Sequence, residues 1–388
     1  MKKNYLMTPG PTPVPPQALL AMAEPIIHHR TPEFMEIFKE VCELLKFIFQ
    51  TQNPVITLTS SGTGAMEAAV CNLLSAGDKA ICVQGGKFGE RWTELCKAYG
   101  VDTIVMNVEW GKAVDPKAIE AELKKDPSIQ AVFTTLCETS TGVLTDIKAI
   151  AQVTKNHGAV LAVDAISGLG AEEIKTDEWG IDVVVSGSQK GLMIPPGLAF
   201  ITLSKKAWEK VEKSKNPRYY FNLKKAKKSI DATDTPFTPA ISLVIALRET
   251  LRMMKKEGLD VIFGRHKILA LATREAMEAM GLKLFAPSAP SNGVTAVCVP
   301  EGIDGEKLVK HMRDKYGVGI AGGQAELKGK VIRIAHMGYI NDTDILMTIA
   351  VLGMALAEMG FRGEPGVGVE AAEEVLLEGR DRNPVESA

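Results

Sequence analysis

The sequence predicts an α/β protein, a mostly parallel sheet sandwiched by helices, with a smaller α+β domain at the C-terminal end. Three observations carry this. Between Pro54 and Leu203, short β-rich runs alternate with stretches of helical periodicity, the pattern of successive βαβ units. The runs are nearly continuous in apolar residues, as strands covered on both faces must be. After about Lys205 the alternation stops and long helical stretches take over.

In chain order, Thr8-Pro9-Gly10-Pro11-Thr12-Pro13-Val14-Pro15-Pro16 can be neither helix nor central strand, because proline removes backbone donors and fixes φ. It reads as an extended arm laid over the rest of the chain, with a loose tail as the alternative. Phe34, Ile37, Phe38, Val41, Leu44, Leu45 and Ile48 recur at helical spacing and predict a helix over Pro32–Phe49. Strands are predicted over residues 55–59, 80–83, 101–108, 131–136, 159–163, 182–185 and 198–203, with helices up to residue 74 and near 90–99, 116–125 and 147–157. Residues 205–228 are strongly basic, with only Glu209 and Glu212 as acids. A solvated surface helix and loop accounts for them better than a nucleic-acid patch. Long helices are predicted near 240–257 and 259–280, the second stopped by Gly281 at the position where a helix favours glycine. The remainder reads as strand 294–299, helix 304–316, strand 331–335 and helix 342–359, then a Gly/Pro linker at 363–368 into an acidic tail that is a short helix or disordered. The expected division is an arm (1–15), a large domain (16–254), a small domain (255–362) and a tail (363–388).

Composition excludes other classes. Of 388 residues, 46% are apolar and 24% charged, ample for a packed core and unlike a disordered chain. The 35 Gly and 20 Pro show no fibrous period, and the net charge of −2 argues against nucleic-acid binding through global positive charge. Six cysteines without a C-x-x-C pair read as buried reduced thiols rather than a disulfide framework. No signal-length or membrane-spanning apolar run occurs. A soluble, cytoplasmic protein with no metal site is expected.

Four loops at strand carboxyl ends, where ligands of parallel α/β sheets bind, hold unusual residues. Thr59-Ser60-Ser61-Gly62-Thr63-Gly64 offers small residues and a helix N-terminus to an anion; it lacks nucleotide P-loop spacing, and a tight strand–helix turn would use the same glycines. Cys137-Glu138-Thr139-Ser140-Thr141-Gly142 places hydroxyls at a strand end, for a ligand or as helix capping before Asp146. In Val163-Asp164-Ala165-Ile166, an acid directly after an apolar strand is costly without a partner. It suits a cationic ring nitrogen, or a cap or turn. In Ser186-Gly187-Ser188-Gln189-Lys190-Gly191, a lysine stands among small residues, where burial would depress its pKa and make it nucleophilic; the alternative is a surface lysine. A lysine, an acid on a neighbouring strand end and a phosphate cup are the parts that pyridoxal phosphate requires.

At this point the chain resembles the class V aminotransferases of the alanine–glyoxylate / serine–pyruvate group, which are pyridoxal-phosphate enzymes of fold type I. The resemblance runs from Leu6 to Met359. It rests on Val163-Asp164-Ala165, Ser186-Gly187-Ser188-Gln189-Lys190 and Pro195-Pro196-Gly197, together with Thr8–Pro13, Ser61-Gly62-Thr63-Gly64 and Lys330-Val331-Ile332-Arg333-Ile334.

What the resemblance implies is a seven-stranded sheet and a transaminase exchanging an amino group between a small amino acid (serine, alanine or aspartate) and a 2-oxo acid (glyoxylate, pyruvate or 2-oxoglutarate). It implies that Lys190 holds the cofactor and moves the α-proton, and that Asp164 pairs with the ring nitrogen. Ile166 and Phe88 pack on the two ring faces, Phe88 standing where relatives often carry tryptophan. Ser61, Gly62 and Thr63 contribute to the phosphate cup, Ser140 lies near the ring and Gln189 near its phenolic oxygen. Arg333 clamps the substrate carboxylate. The Pro-rich arm, through Gly10, helps close the substrate pocket. Thr238 reaches the neighbouring subunit's phosphate in a homodimer, while Thr235 stands where some relatives have a phosphate-binding tyrosine. Arg30 is a further candidate for dicarboxylate substrates. A class V lyase or desulfurase, and a catalytically silent binding subunit, are the alternatives; no cysteine lies between Gly317 and Arg333 to serve a desulfurase.

Overall fold

Seven of the apolar runs hydrogen-bond into one sheet, which the computed structural model places at the centre of the chain; it describes residues 3–364 and 366–382. In spatial order the strands are Val55–Ser60, Gly197–Leu203, Val183–Gly187, Val160–Asp164, Ile129–Thr135, Lys79–Gln84 and Asp102–Asn107. All neighbours pair in parallel except Gly197–Leu203, which runs antiparallel to both of its neighbours. The expected mostly parallel sheet is therefore present, with its boundaries moved by at most two residues. One shift matters chemically: Asp164 is the last residue of its strand and not the first residue beyond it.

Central strands such as Val160–Asp164 and Val183–Gly187 are buried at every position, which is why they read as unbroken apolar runs. Alternate side chains still separate by face. Val132, Leu161, Val163, Val184, Leu198 and Phe200 pack with Phe34, Phe38, Val41 and Leu45 of helix Pro32–Phe49 and with helix Ile241–Glu257. Phe133, Val160, Ala162, Val185, Ala199 and Ile201 face helices Gly62–Leu73 and Lys87–Ala98. The helix Pro32–Phe49 matches its expected span, begun by proline and by the Thr31 side chain accepting from Phe34 N–H, both start signals of a helix.

A third apolar cluster gathers helices Leu259–Ala279 and Asp342–Glu358 around the small sheet Val294–Cys298, Val331–Ala335 and Ala321–Gly322. The tail contributes helix Val367–Arg382, with Ala372 and Leu376 in that cluster, so the helical alternative holds as far as the described residues reach. The basic stretch forms two surface helices, Lys205–Lys213 and Leu223–Asp231. The Pro-rich arm is laid down as expected. Its Tyr5–Leu6 pairs in parallel with Val318–Gly319, Met7 is buried in the C-terminal cluster, and Thr12 N–H donates to Gln189 O at 3.1 Å.

Trp92 anchors one face of the main sheet. It is fully buried, stacks on Phe133 with centroids 4.7 Å apart, and donates from Nε1 to Thr134 O at 3.2 Å. Trp92→Ala is expected to cost about 3–5 kcal/mol. Urea unfolding of the cofactor-free protein measures this, and a loss below about 1 kcal/mol would remove Trp92 from the core.

Candidate active site

Strand direction brings the chemistry together. The strands ending at Ser60, Asp164 and Gly187 deliver their carboxyl ends to one edge of the sheet, the edge where ligands bind in such folds. A cavity of about 200 Å³ opens there. Its lining includes Gly10, Ser61, Gly62, Thr63, Phe88, Asp164, Ile166, Gln189 and Lys190, nine of the expected site residues. A larger hollow of about 760 Å³ lies elsewhere, against helix Leu259–Ala279, and contains none of them.

Lys190 is 8% exposed, and its Nζ donates to the carbonyl of Pro9 in the arm. Burial is the main cause that lowers its pKa to about 8; Asp164 nearby raises it, and Arg333 and Arg91 lower it further. Asp164 is 2% exposed, and burial raises its pKa to about 7. The N–H of Ile166, donating to Oδ1 at 2.8 Å, acts the other way. The arm fits over the lysine only because residue 10 is glycine: φ there is +123°, and a Cβ would come 2.4 Å from Lys190 Cε. At Gly62 a Cβ would meet Ile166 Cδ1 at 2.5 Å. Ser61 precedes helix Gly62–Leu73 without capping it through its side chain, which leaves hydroxyl and first-turn donors for an anion.

Arg333, on strand Val331–Ala335, is 6% exposed. Nε and Nη2 donate to Gly322 O at 3.0 and 2.8 Å, and Nη1 to Thr139 O at 3.0 Å. Burial lowers its pKa to about 10, far enough above neutrality to keep its charge. Thr139 lines the cavity, so this contact fixes the guanidinium next to it.

Other expected residues stand apart. Ser140 is fully buried but lies behind the cavity lining, donating to Glu138 and accepting from Lys87 N–H at 3.1 Å. Thr238 is exposed and borders a separate hollow with Tyr220, Thr235 and Phe237. Thr235 donates to Phe237 O at 2.8 Å. Arg30 is paired with Asp234 on the surface.

Six lining residues, Pro11, Arg91, Cys137, Thr139, Ser167 and Pro196, are not among the expected site residues. Arg91 lies with its Cζ 5.0 Å from the Phe88 ring centroid and forms no ion pair among the described residues. The signal was spacing: Phe88 and Arg91 are three apart on helix Lys87–Ala98. Cys137 and Ser167 also line the cavity, and burial raises the Cys137 thiol to about 12. The group implied by the resemblance fits these residues. A buried amine and a buried acid share one cavity, the anion cup is open, and the Gln189 Oε1 is buried without a partner. Among the described residues no cluster of His, Cys, Asp or Glu is placed to hold a metal ion.

Comparison with known proteins agrees. The profile of the family "Aminotransferase class-V" matches residues 4–343. A soluble hydrogenase small subunit from Synechococcus sp. is 46% identical over 380 residues, 96% of this chain and 98% of that protein. A serine–glyoxylate aminotransferase from Methylorubrum extorquens is 37% identical over 398 residues, 100% of this chain and 98% of that protein. The crystal structure of ureidoglycine–glyoxylate aminotransferase from Bacillus subtilis superposes with a TM-score of 0.92 at 32% identity, covering 97% of this chain and 99% of that one.

Folded Asp164 keeps its proton up to about pH 7, whereas a free aspartate carboxyl gives its proton up near 3.8. Between those limits the folded cofactor-free chain binds more protons than the unfolded one, so Asp164 makes stability fall as pH rises. Asp164→Asn is expected to flatten that decline. Melting temperatures taken between about pH 4 and pH 7 check it, and a parental slope in the variant counts against the assignment.

Proposed function

The chain belongs to the aminotransferase class-V family and is a pyridoxal-phosphate-dependent aminotransferase; on that premise we propose that its donor is a small amino acid such as serine, alanine or aspartate and its acceptor a 2-oxo acid such as glyoxylate, pyruvate or 2-oxoglutarate. The observation that carries this reading is the single cavity in which Lys190, Asp164 and the Ser61–Gly62–Thr63 cup converge. Relatives named L-aspartate–glyoxylate and serine–glyoxylate aminotransferase, from Paracoccus denitrificans and Methylorubrum extorquens, support the substrate class.

Pyridoxal phosphate, when bound, supplies an electron sink that weakens the substrate's α-C–H bond and carries the amino group to the second substrate. The chain's own residues do the rest. Lys190 holds the cofactor through Nζ and then takes and returns the α-proton at that atom. A pKa near 8 suits this exchange at neutral pH. Asp164 would pair with the ring nitrogen and keep it protonated. Phe88 and Ile166 would confine the ring, Ser61, Gly62 and Thr63 would take the phosphate, and Gln189, whose Oε1 is buried without a partner, would serve the ring hydroxyl. Arg333, held by the carbonyls of Gly322 and Thr139, binds the substrate carboxylate, a geometry its planar fork matches. Gly10 and the arm above it exclude water.

The working unit in this reading is a homodimer. Thr238 is exposed and outside its own chain's cavity, a position suited to serving the neighbouring cup. The division into a cofactor domain (16–254) and a small domain (255–362) belongs to the same reading, as does a cytoplasmic location, supported by six free cysteines. Among the described residues no helix is long and apolar enough to cross a membrane. Cys137, the cavity cysteine, has a thiol pushed up to about 12, the opposite of the activation that sulfur chemistry needs; this favours transamination over the desulfurase alternative.

Lys190→Ala is expected to abolish the visible absorbance of the bound cofactor and at least about 10³-fold of turnover; full activity would sink the reading. Arg333→Ala is expected to raise the KM of both substrates by about 100-fold, equivalent to about 3 kcal/mol, with a smaller fall in kcat. Initial rates over a panel of amino donors and oxo acids measure both effects and identify the substrate pair.

A further inference from the structure

Glu138 has no role in the reading above, yet its carboxylate is among the most heavily engaged side chains near the cavity. It is 4% exposed. It accepts from Phe88 N–H at 3.1 Å, Gly89 N–H at 2.9 Å and Ser140 N–H at 3.2 Å, and from the Ser140 hydroxyl. Phe88 and Gly89 open helix Lys87–Ala98, where backbone donors lack helical partners and a negative charge is favoured. All four partners donate, so the arrangement suits a carboxylate. Burial pushes its proton affinity up and the four hydrogen bonds push it down.

The next peptide looks the other way. The carbonyl of Thr139 receives Arg333 Nη1 at 3.0 Å, and the Glu138 charge favours the charged guanidinium. One residue therefore grips the loop that carries Phe88, and its neighbour grips Arg333. Gly86 marks how closely the loops meet: a Cβ there would fall 2.4 Å from Ser140 Oγ and 2.5 Å from Glu138 Cδ. Its backbone is extended, with φ at 166°, so a side chain is excluded by crowding and not by conformation.

We propose that Glu138 is a positioning residue that locks the ring-stacking Phe88 loop and the carboxylate-binding Arg333 into one rigid unit, setting the distance between cofactor plane and substrate clamp. This rests on the roles given above to Phe88 and Arg333. A plain helix cap would explain the bonds to Phe88 and Gly89, but not the tight Gly86 contact or the adjacent tie to Arg333.

Two variants test it. Glu138→Gln keeps the volume but turns one acceptor into an amide NH₂ facing N–H donors. Gly86→Ala wedges a methyl group between the loops and leaves the carboxylate in place. Cofactor Kd is measured from visible absorbance at equilibrium, donor KM and kcat from steady-state rates, and melting temperature on the cofactor-free protein. In each variant, cofactor Kd and donor KM are expected to rise about 10-fold, a coupling of about 1.4 kcal/mol, while kcat changes much less. Adding Phe88→Ala to Glu138→Gln should raise Kd no further than Phe88→Ala alone. A lowered melting temperature with parental Kd and KM makes Glu138 a structural cap and overturns the proposal; if Glu138→Gln does not fold, Gly86→Ala decides. Should Phe88→Ala leave Kd unchanged and Arg333→Ala leave KM unchanged, the roles of those residues fail instead.

Discussion

Keeping one amine out of water, beside an acid that is equally dry, is the constraint on which the rest of the structure depends. Free in solution, Lys190 and Asp164 would titrate far apart. The same apolar surroundings move the amine down to about 8 and the acid up to about 7, so both exchange protons near neutrality. Burying such groups is costly unless partners are fixed nearby. The parallel strands fix the acid, the turn after Gly187 fixes the amine, and the arm covers it with the Pro9 carbonyl as hydrogen-bond acceptor. A glycine at position 10 makes the cover possible. Removing any of these leaves an isolated buried charge and not merely a missing contact.

The site is also electrostatically biased. Lys190 and Arg91 line the cavity with Asp164, and Thr139 fixes the Arg333 guanidinium next to it. An excess of positive charge in a water-poor cleft draws anions, as a phosphate-bearing cofactor and carboxylate substrates require. The chain as a whole carries a net charge of −2, so the attraction is local.

Much of this was readable in the sequence, because it depends on period and on residues at strand ends. Unbroken apolar runs revealed doubly covered strands, and three of the four strand-end loops held seven of the nine expected residues that do line the cavity. What escaped was side-chain direction. The helix expected near residue 90 begins at Lys87; those three residues put Phe88 and Arg91 on one helix, one turn apart, and so hid the arginine. Ser140 turns away from the cavity because Glu138 and Lys87 claim its hydroxyl, and spacing carries no such information. Arg333 was visible only through family resemblance, since nothing in a short apolar strand announces that its arginine ends on two carbonyls. The tail helix was ambiguous by composition and is settled by packing against helix Leu259–Ala279.

The arm has a temporal consequence. Its residues are made well before their partners: Tyr5 and Met7 bond to Gly317, Gly319 and Ala335, and Thr12 to Gln189 and Lys190. Contacts spanning such separations carry a high loop-closure cost and form late in folding. The main sheet can assemble during synthesis while its catalytic edge stays uncovered, and the cover closes only after the small sheet has been made. A chain is thus unable to anchor the arm over its reactive pocket until residues as far along as Ala335 have been made, which ties the onset of chemistry to formation of the small sheet.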